Sequence, residues 1–264
     1  MQKYAKIPAS RLKDIRKLTQ KKFRSLEGRF VVEGAHLVHE VLQSPSWRPE
    51  QILVTAEAAA KYSDILTVAA KGKVEVLEVD ERELNELSET VTSQGIIAIV
   101  PVQDPTLDAI VKALPPKFTA VALDAVADPG NLGTILRTCD WFGVDAVILG
   151  KGSVDLYNPK VVRASMGAIF HLSVVMNANL LDSVNGFKRE GARIVGTIAT
   201  GGTPVRNFAA GAKTLLVFGS EARGISAELS KLIDVNVTIP GYGKAESLNV
   251  AISCGIVLDA VKRG

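Results

Sequence analysis

The chain has 264 residues, 47% apolar and 22% charged, long enough for two domains and with enough of both residue classes for packed cores under a charged surface. No stretch approaches the roughly 18 uninterrupted apolar residues of a membrane span, and the polar, basic start lacks the apolar core of a secretory leader, so a cytoplasmic protein with no membrane partner is expected. The net charge of +3 is modest, but residues 1–30 carry ten Lys/Arg against two acids, a local +8 of the kind a polyanion binds, and the remainder sums to −5.

Within the basic lead, Ser10 can cap a helix in which Leu12, Ile15 and Leu18 form one apolar ridge. Arg11, Lys13, Arg16, Lys17, Lys21 and Lys22 fall mostly off that ridge, either as a solvated face or as contacts to RNA phosphates. Phe30–Val32 reads as a strand, and Gly34 leads into a helix through Leu37, Val38, Val41 and Leu42. Strands at Gln51–Val54, Val74–Val79 and Gly95–Val100 then alternate with helices at 57–70 and 81–88, an α/β sandwich. Four prolines between Pro101 and Lys117 surround one short helical run and mark a boundary. The expected division is therefore 1–104, a linker at 105–117, and a second domain at 118–264.

Beyond the boundary the alternation restarts. Strands are expected at Ala120–Leu123, Ala146–Leu149, Leu172–Val175, Arg193–Ile198, Leu215–Phe218 and Val235–Ile239. Helices follow from Leu132, near Val161–Ala168 and over roughly 247–262. Nearly continuous Val and Ile in these strands indicates a parallel sheet covered on both faces. The fold class is α/β, a parallel-sheet domain preceded by a small α/β domain. Cys139 and Cys254, the only cysteines, lie in apolar helix-like segments and read as buried thiols.

Three segments of the second half break their local pattern directly after a strand, where open α/β sheets gather ligands. In Asp128-Pro129-Gly130-Asn131-Leu132-Gly133-Thr134-Ile135-Leu136-Arg137, Asn131 can cap a helix and Arg137 can grip a phosphate with its planar fork. Phe218-Gly219-Ser220-Glu221-Ala222-Arg223-Gly224 holds a carboxylate beside a guanidinium in a glycine-bounded turn. Ile239-Pro240-Gly241-Tyr242-Gly243-Lys244-Ala245-Glu246-Ser247-Leu248-Asn249 runs from a strand through a glycine loop into a helix starting near Ser247. Each also has a plain structural reading: a capped helix with a surface arginine, a turn with an exposed ion pair, and an N-cap serine. The glycine spacing does not match GxGxxG, and no acidic residue follows about 20 positions later, which argues against a dinucleotide-dependent oxidoreductase.

In this order and at these separations, N-x-G-x-x-x-R at 131–137, G-S-E-x-x-G at 219–224 and S-L-N-V-A at 247–251 resemble the SpoU (TrmH-like) family of RNA ribose methyltransferases. The stretch Tyr157–Ala168 looks like that family's connecting segment, and Phe30–Gly34 with Ser93–Ala98 are similar to its ribosomal-protein-like accessory domain. The resemblance implies a deep trefoil knot formed around the 219–224 and 239–249 loops, a homodimer, and S-adenosylmethionine as methyl donor. It further implies that Arg137 activates a ribose 2′-hydroxyl and orients the adjoining phosphate, with Asn131, Glu221, Ser247 and Asn249 shaping the site. Thr197, Gly219, Ile239 and Leu248 would cradle the donor. Lys13, Arg16, Lys17, Lys21 and Lys22 would bind RNA, with ribosomal RNA favoured over transfer RNA. A non-catalytic RNA-binding protein on the same fold is the competing reading, and the presence of Arg137 and Asn249 weighs against it. No metal is expected, since His36 and His39 share a helix face with no clear third ligand. Trp47 and Trp141 are expected as core or interface anchors.

Overall fold

A computed structural model describes residues 4–88 and 92–263; residues 1–3, which open the basic lead, and Gly264, which ends the expected second domain, lie outside the described residues. In chain order the elements are β1 (Ala5–Lys6), α1 (Ala9–Lys17), α2 (Lys21–Glu27), β2 (Arg29–Glu33), α3 (Ala35–Gln43), β3 (Gln51–Val54), α4 (Ala56–Lys61), α5 (Ser63–Lys71), β4 (Glu75–Glu78), α6 (Glu81–Asn85) and β5 (Ile96–Pro101). There follow α7 (Leu107–Ala113), β6 (Phe118–Asp124), α8 (Pro129–Trp141), β7 (Ala146–Gly150), α9 (Pro159–Ala164), β8 (Val174–Ala178), α10 (Leu180–Arg189), β9 (Arg193–Thr197), β10 (Thr203–Pro204), β11 (Lys213–Gly219), α11 (Ala227–Ser230), β12 (Val235–Thr238) and α12 (Val250–Arg263). These fall into two units, one of residues 1–103 with 157–170, the other of 104–156 with 171–264.

The first unit is built on a mixed five-stranded sheet ordered β1-β4-β3-β5-β2, with β5 antiparallel to both of its neighbours. The ridge read from the sequence packs as expected: Leu12, Ile15 and Leu18 bury against Leu53, Leu77, Ile97 and Ile99. Ser10 is not the cap of α1. Pro8 occupies that position without a side-chain hydrogen bond, and Ser10 lies one residue inside the helix. The end of α1 is tied differently. Arg24 on α2 is 4% exposed and its guanidinium donates to the carbonyls of Leu18 and Thr19 at 2.9 and 2.8 Å, occupying acceptors that a helix end leaves open. The single helix expected over 57–70 is two, broken at Tyr62, whose backbone (φ −112°, ψ 37°) leaves the helical region.

Residues 157–170, which the sequence placed with the second half, cluster with the first unit for an aromatic reason. Tyr157 and Phe170 join Phe30 and Trp47, with ring centres 4.5 Å apart for Phe30–Tyr157 and 5.6 Å for Trp47–Phe170. The Tyr157 hydroxyl also accepts from the Gln103 amide at 3.0 Å and donates to its carbonyl.

The second unit carries a seven-stranded, wholly parallel sheet ordered β10-β12-β9-β11-β6-β7-β8. One cluster buries Ile110, Phe118, Ala120, Ile148, Val184, Phe187, Ile194, Leu215 and Val217, so α7 packs into this unit although its residues lie within the stretch read as a linker. Side chains alternate along a strand. The intervening Val121, Leu123, Val147, Leu149, Leu216 and Phe218 are likewise buried, and so are Leu132, Ile135 and Leu136 of α8 and Val257 and Leu258 of α12. Cys139 and Cys254 are free and fully buried in these two helices. A hydrogen bond to Cys254 and burial both push the Cys139 thiol well above its ordinary range, as suits an inert packing residue. Trp47 is a core anchor, but Trp141 is 85% exposed and is not part of a core among the described residues. Among the described residues no helix is long and apolar enough to cross a membrane.

Candidate functional site

Because every strand of the second sheet runs the same way, their carboxyl ends lie along one edge, and loops leaving β9, β11 and β12 meet there. They enclose a cavity of about 670 Å³, lined among others by Thr197, Gly219, Glu221, Ile239, Ser247 and Leu248. All four residues expected to hold a cofactor, Thr197, Gly219, Ile239 and Leu248, are thus on one wall system. Thr197 itself donates its hydroxyl to the Val217 carbonyl at 3.0 Å, stitching β9 to β11 at the cavity edge.

The turn after β11 requires glycine at its start. A Cβ on Gly219 would lie 2.0 Å from the Gly224 carbonyl carbon and 2.2 Å from the Ile225 nitrogen, both backbone atoms. The turn folds back because Gly224 donates its N–H to the Ser220 carbonyl at 2.8 Å and, with φ +66°, adopts the left-handed conformation that glycine favours. Asp124, paired in register with Gly219 at the end of β6, accepts the Ser226 N–H at 2.8 Å and pins the far side of the turn.

Helix α8 begins earlier than the sequence suggested. Asp128 caps it, accepting the Asn131 N–H at 2.8 Å, with Pro129 at the first helical position. Asn131 is therefore inside the first turn, and its amide is free to face outward from the helix end. It donates to the Glu221 carboxylate and accepts from the Asn249 amide at 2.9 Å. Asn249 in turn caps α12, receiving the N–H groups of Ala251 at 2.9 Å and Ile252 at 3.3 Å. The cap role expected of Ser247 thus belongs to Asn249. Ser247 stays exposed on the cavity wall, and its hydroxyl makes no hydrogen bond to a described residue.

The three motifs, more than a hundred residues apart at the extremes, are joined by a continuous Glu221–Asn131–Asn249 chain of side-chain hydrogen bonds. Arg137 is not part of it. It is exposed on α8, under two turns beyond Asn131, and makes no hydrogen bond or ion pair with any described residue. Its guanidinium remains available to a ligand. Asp124 and Asp128 are the two positioning carboxylates the motif reading missed. Asp128 had a visible signal, Asp-Pro directly before the helix; Asp124 had none.

The basic residues expected to meet RNA all belong to the first unit. Arg16 is paired with Glu86 at 2.6 Å and Lys17 with Asp14 at 2.8 Å, a hydrogen bond that raises the Lys17 pKa. Lys13, Lys21 and Lys22 are exposed and have no ion pair among the described residues, and the Lys22 ammonium lies 5.8 Å from the centre of the Phe23 ring. Among the described residues no group of three or more His, Cys, Asp or Glu is arranged to hold a metal.

Two family models match the chain: the SpoU rRNA Methylase family over residues 119–259 and the MRM3-like substrate binding domain over residues 9–98. A relative in Bacillus subtilis (strain 168), named 23S rRNA (guanosine(2553)-2′-O)-methyltransferase RlmP, is 38% identical over 248 residues, covering 94% of each chain. Among solved structures, an AdoMet-bound rRNA methyltransferase from Sinorhizobium meliloti superposes with a TM-score of 0.86 at 29% identity, over 99% of this chain and 97% of that one. The SpoU methyltransferase AviRb from Streptomyces viridochromogenes, in complex with AdoMet, gives 0.85 at 27% identity over 96% and 98%.

Proposed function

This chain belongs to the SpoU rRNA methylase family, and from that premise we propose that it transfers a methyl group from S-adenosylmethionine to a ribose 2′-hydroxyl of ribosomal RNA. The observation that carries the reading is the cavity at the strand ends, lined by the second and third motifs, to which Asn131 of the first is tied through its bonds to Glu221 and Asn249. Its volume lies within the roughly 300–1,000 Å³ of small-molecule sites. Its wall mixes apolar Ile239, Leu248 and Val250 with polar Thr197 and Ser247, which suits a nucleoside carrying a charged amino-acid arm. Glycine at 219 lets the turn close tightly on its own backbone beside the cavity.

When bound there, the donor supplies an electrophilic methyl carbon on its sulfonium. Thr197, Gly219, Ile239 and Leu248 hold it, largely through backbone groups. Arg137 grips the phosphate beside the target ribose and polarises the 2′ O–H. An arginine stays protonated, so orientation is the larger part of its task and the proton leaves to the phosphate or to water. Asn131, Glu221 and Asn249 fix the two helix ends and the turn against one another, and Ser247 offers its free hydroxyl to the substrate phosphate. None of these roles needs a metal.

The first unit captures RNA through Lys13, Lys21 and Lys22, with Arg16 and Lys17 partly committed to internal ion pairs. The 219–224 and 239–249 loops form the knot, and the chain acts in the cytoplasm as a homodimer. Exposed Ile252 and Ile256 of α12 and Trp141 of α8 support the dimer, being apolar surface left uncovered by the described residues. Light scattering at micromolar concentration should give twice the chain mass; a single monomeric species would contradict the dimer.

The reaction is tested by calorimetric titration of S-adenosylmethionine against NAD, followed by methyl transfer to ribosomal RNA from cells lacking the gene. Saturable donor binding with RNA methylation is expected. Binding of NAD alone would point to an oxidoreductase, and donor binding without transfer to any RNA would point to a non-catalytic RNA-binding protein.

A further inference from the structure

The loop from Pro240 to Leu248 forms one wall of the cavity, yet it is tied to the rest of the molecule by a single hydrogen bond among the described residues. That bond runs from the Arg206 guanidinium to the Tyr242 hydroxyl, at 3.4 Å. Arg206 stands on a short 3-10 turn whose Val205, with the adjoining Phe208, is buried, so the guanidinium projects from a fixed base. Tyr242 lies between Gly241 and Gly243, both surrounded by open space, and lines the cavity while remaining 87% exposed. A long, exposed hydrogen bond contributes little stability, and the ring gains almost nothing from packing within the chain. The Tyr242 ring therefore has no structural task that its size would explain.

An aromatic face beside a guanidinium is instead the combination that takes an unpaired nucleotide, the ring stacking the base while the cation meets the phosphate. We propose that Tyr242 and Arg206 form a nucleotide-docking site at the mouth of the donor cavity. Tyr242 stacks the target base or its immediate neighbour, and Arg206 binds the adjoining phosphate. The site deepens, and rests on, the methyltransfer reading above. It selects single-stranded or flipped-out RNA, because a base inside a duplex has no free face to offer. Both residues are positioning residues; the methyl-transfer chemistry stays with the groups already described.

The experiment uses the full chain, bulk ribosomal RNA from a strain lacking the gene, and a donor titration on every variant. Tyr242→Ala should raise the KM for RNA about tenfold, within the loss typical of a base deprived of its stacking partner, while donor affinity stays within twofold. Tyr242→Phe keeps the ring, loses the Arg206 bond, and should recover the KM. Arg206→Ala should weaken RNA binding and reduce its salt dependence. An unchanged KM in Tyr242→Ala overturns the proposal. So does a Tyr242→Phe variant as impaired as Tyr242→Ala with donor affinity lost in both, since the pair would then be a latch for the donor loop. Failure of the unmodified protein to bind donor or methylate RNA would instead strike the methyltransfer reading itself.

Discussion

Arg137 sits exposed on α8 without a partner among the described residues, while Asn131, one and a half turns earlier, is held on two sides. A cation left free beside a rigid polar chain can meet a phosphate without first breaking an internal bond. In the proposed reaction its contribution is made mainly in the transition state. Arg137→Ala should lower the single-turnover methylation rate by about 10²–10⁴, as for loss of a positioned acid–base group, with donor affinity nearly unchanged. Arg137→Lys should rescue poorly, since it keeps charge and loses the planar fork. Near-normal turnover in the alanine variant would remove Arg137 from the mechanism. At this scale the motif residues could be read from the chain because their types and spacing are local. Their partnerships could not: the Asn131–Asn249 bond spans 118 positions, and nothing local to either asparagine announces the other.

Among the elements, six of the seven strands of the second sheet were legible because nearly unbroken Val/Ile runs mark buried strands, whereas the two-residue edge strand β10 carries no such run. Helix starts were less so. A polar residue in the right neighbourhood is ambiguous until backbone geometry chooses, and it chose Asp128 over Asn131, Asn249 over Ser247 and Pro8 over Ser10. The first two shifts place Asn131 where its side chain bridges to Glu221 and Asn249. The turn between β11 and α11 gives the sharpest test at this scale. Gly219→Ala sets a methyl group against backbone atoms that no side-chain rotation can relieve. It should cost about 1–3 kcal/mol of stability, as overpacking does, and sharply weaken donor binding by forcing the turn open. Thermal unfolding and donor titration on the variant check both parts; intact donor affinity would mean that the turn does not shape the donor site.

Across the whole molecule, the residues proposed for RNA capture and those proposed for methyl transfer fall in different units. The local +8 of the first thirty residues is reduced in effect by Glu75, Glu86 and Glu50, acids distant in sequence that pair with Arg11, Arg16 and Arg29. Counting charges along the chain could not show this, and among the described residues it leaves Lys13, Lys21 and Lys22 as the cations proposed to meet RNA. Replacing these three by alanine should weaken RNA binding and flatten the log–log salt dependence by about two to three, with donor affinity unchanged; an unaltered salt slope would place RNA capture elsewhere. The unit boundary was only partly readable for a related reason, because residues 157–170 join the first unit through aromatic contacts to Phe30 and Trp47. The central claim, methyl transfer to a ribose oxygen of ribosomal RNA, is tested most directly with S-adenosylmethionine carrying a deuterated methyl group. Ribosomal RNA from cells lacking the gene is incubated with the protein, digested to nucleosides and analysed by mass spectrometry. A deuterated methyl on the ribose of one nucleoside, absent with the Arg137→Ala variant, is the predicted result; label on a base, or none in any RNA, would contradict the account.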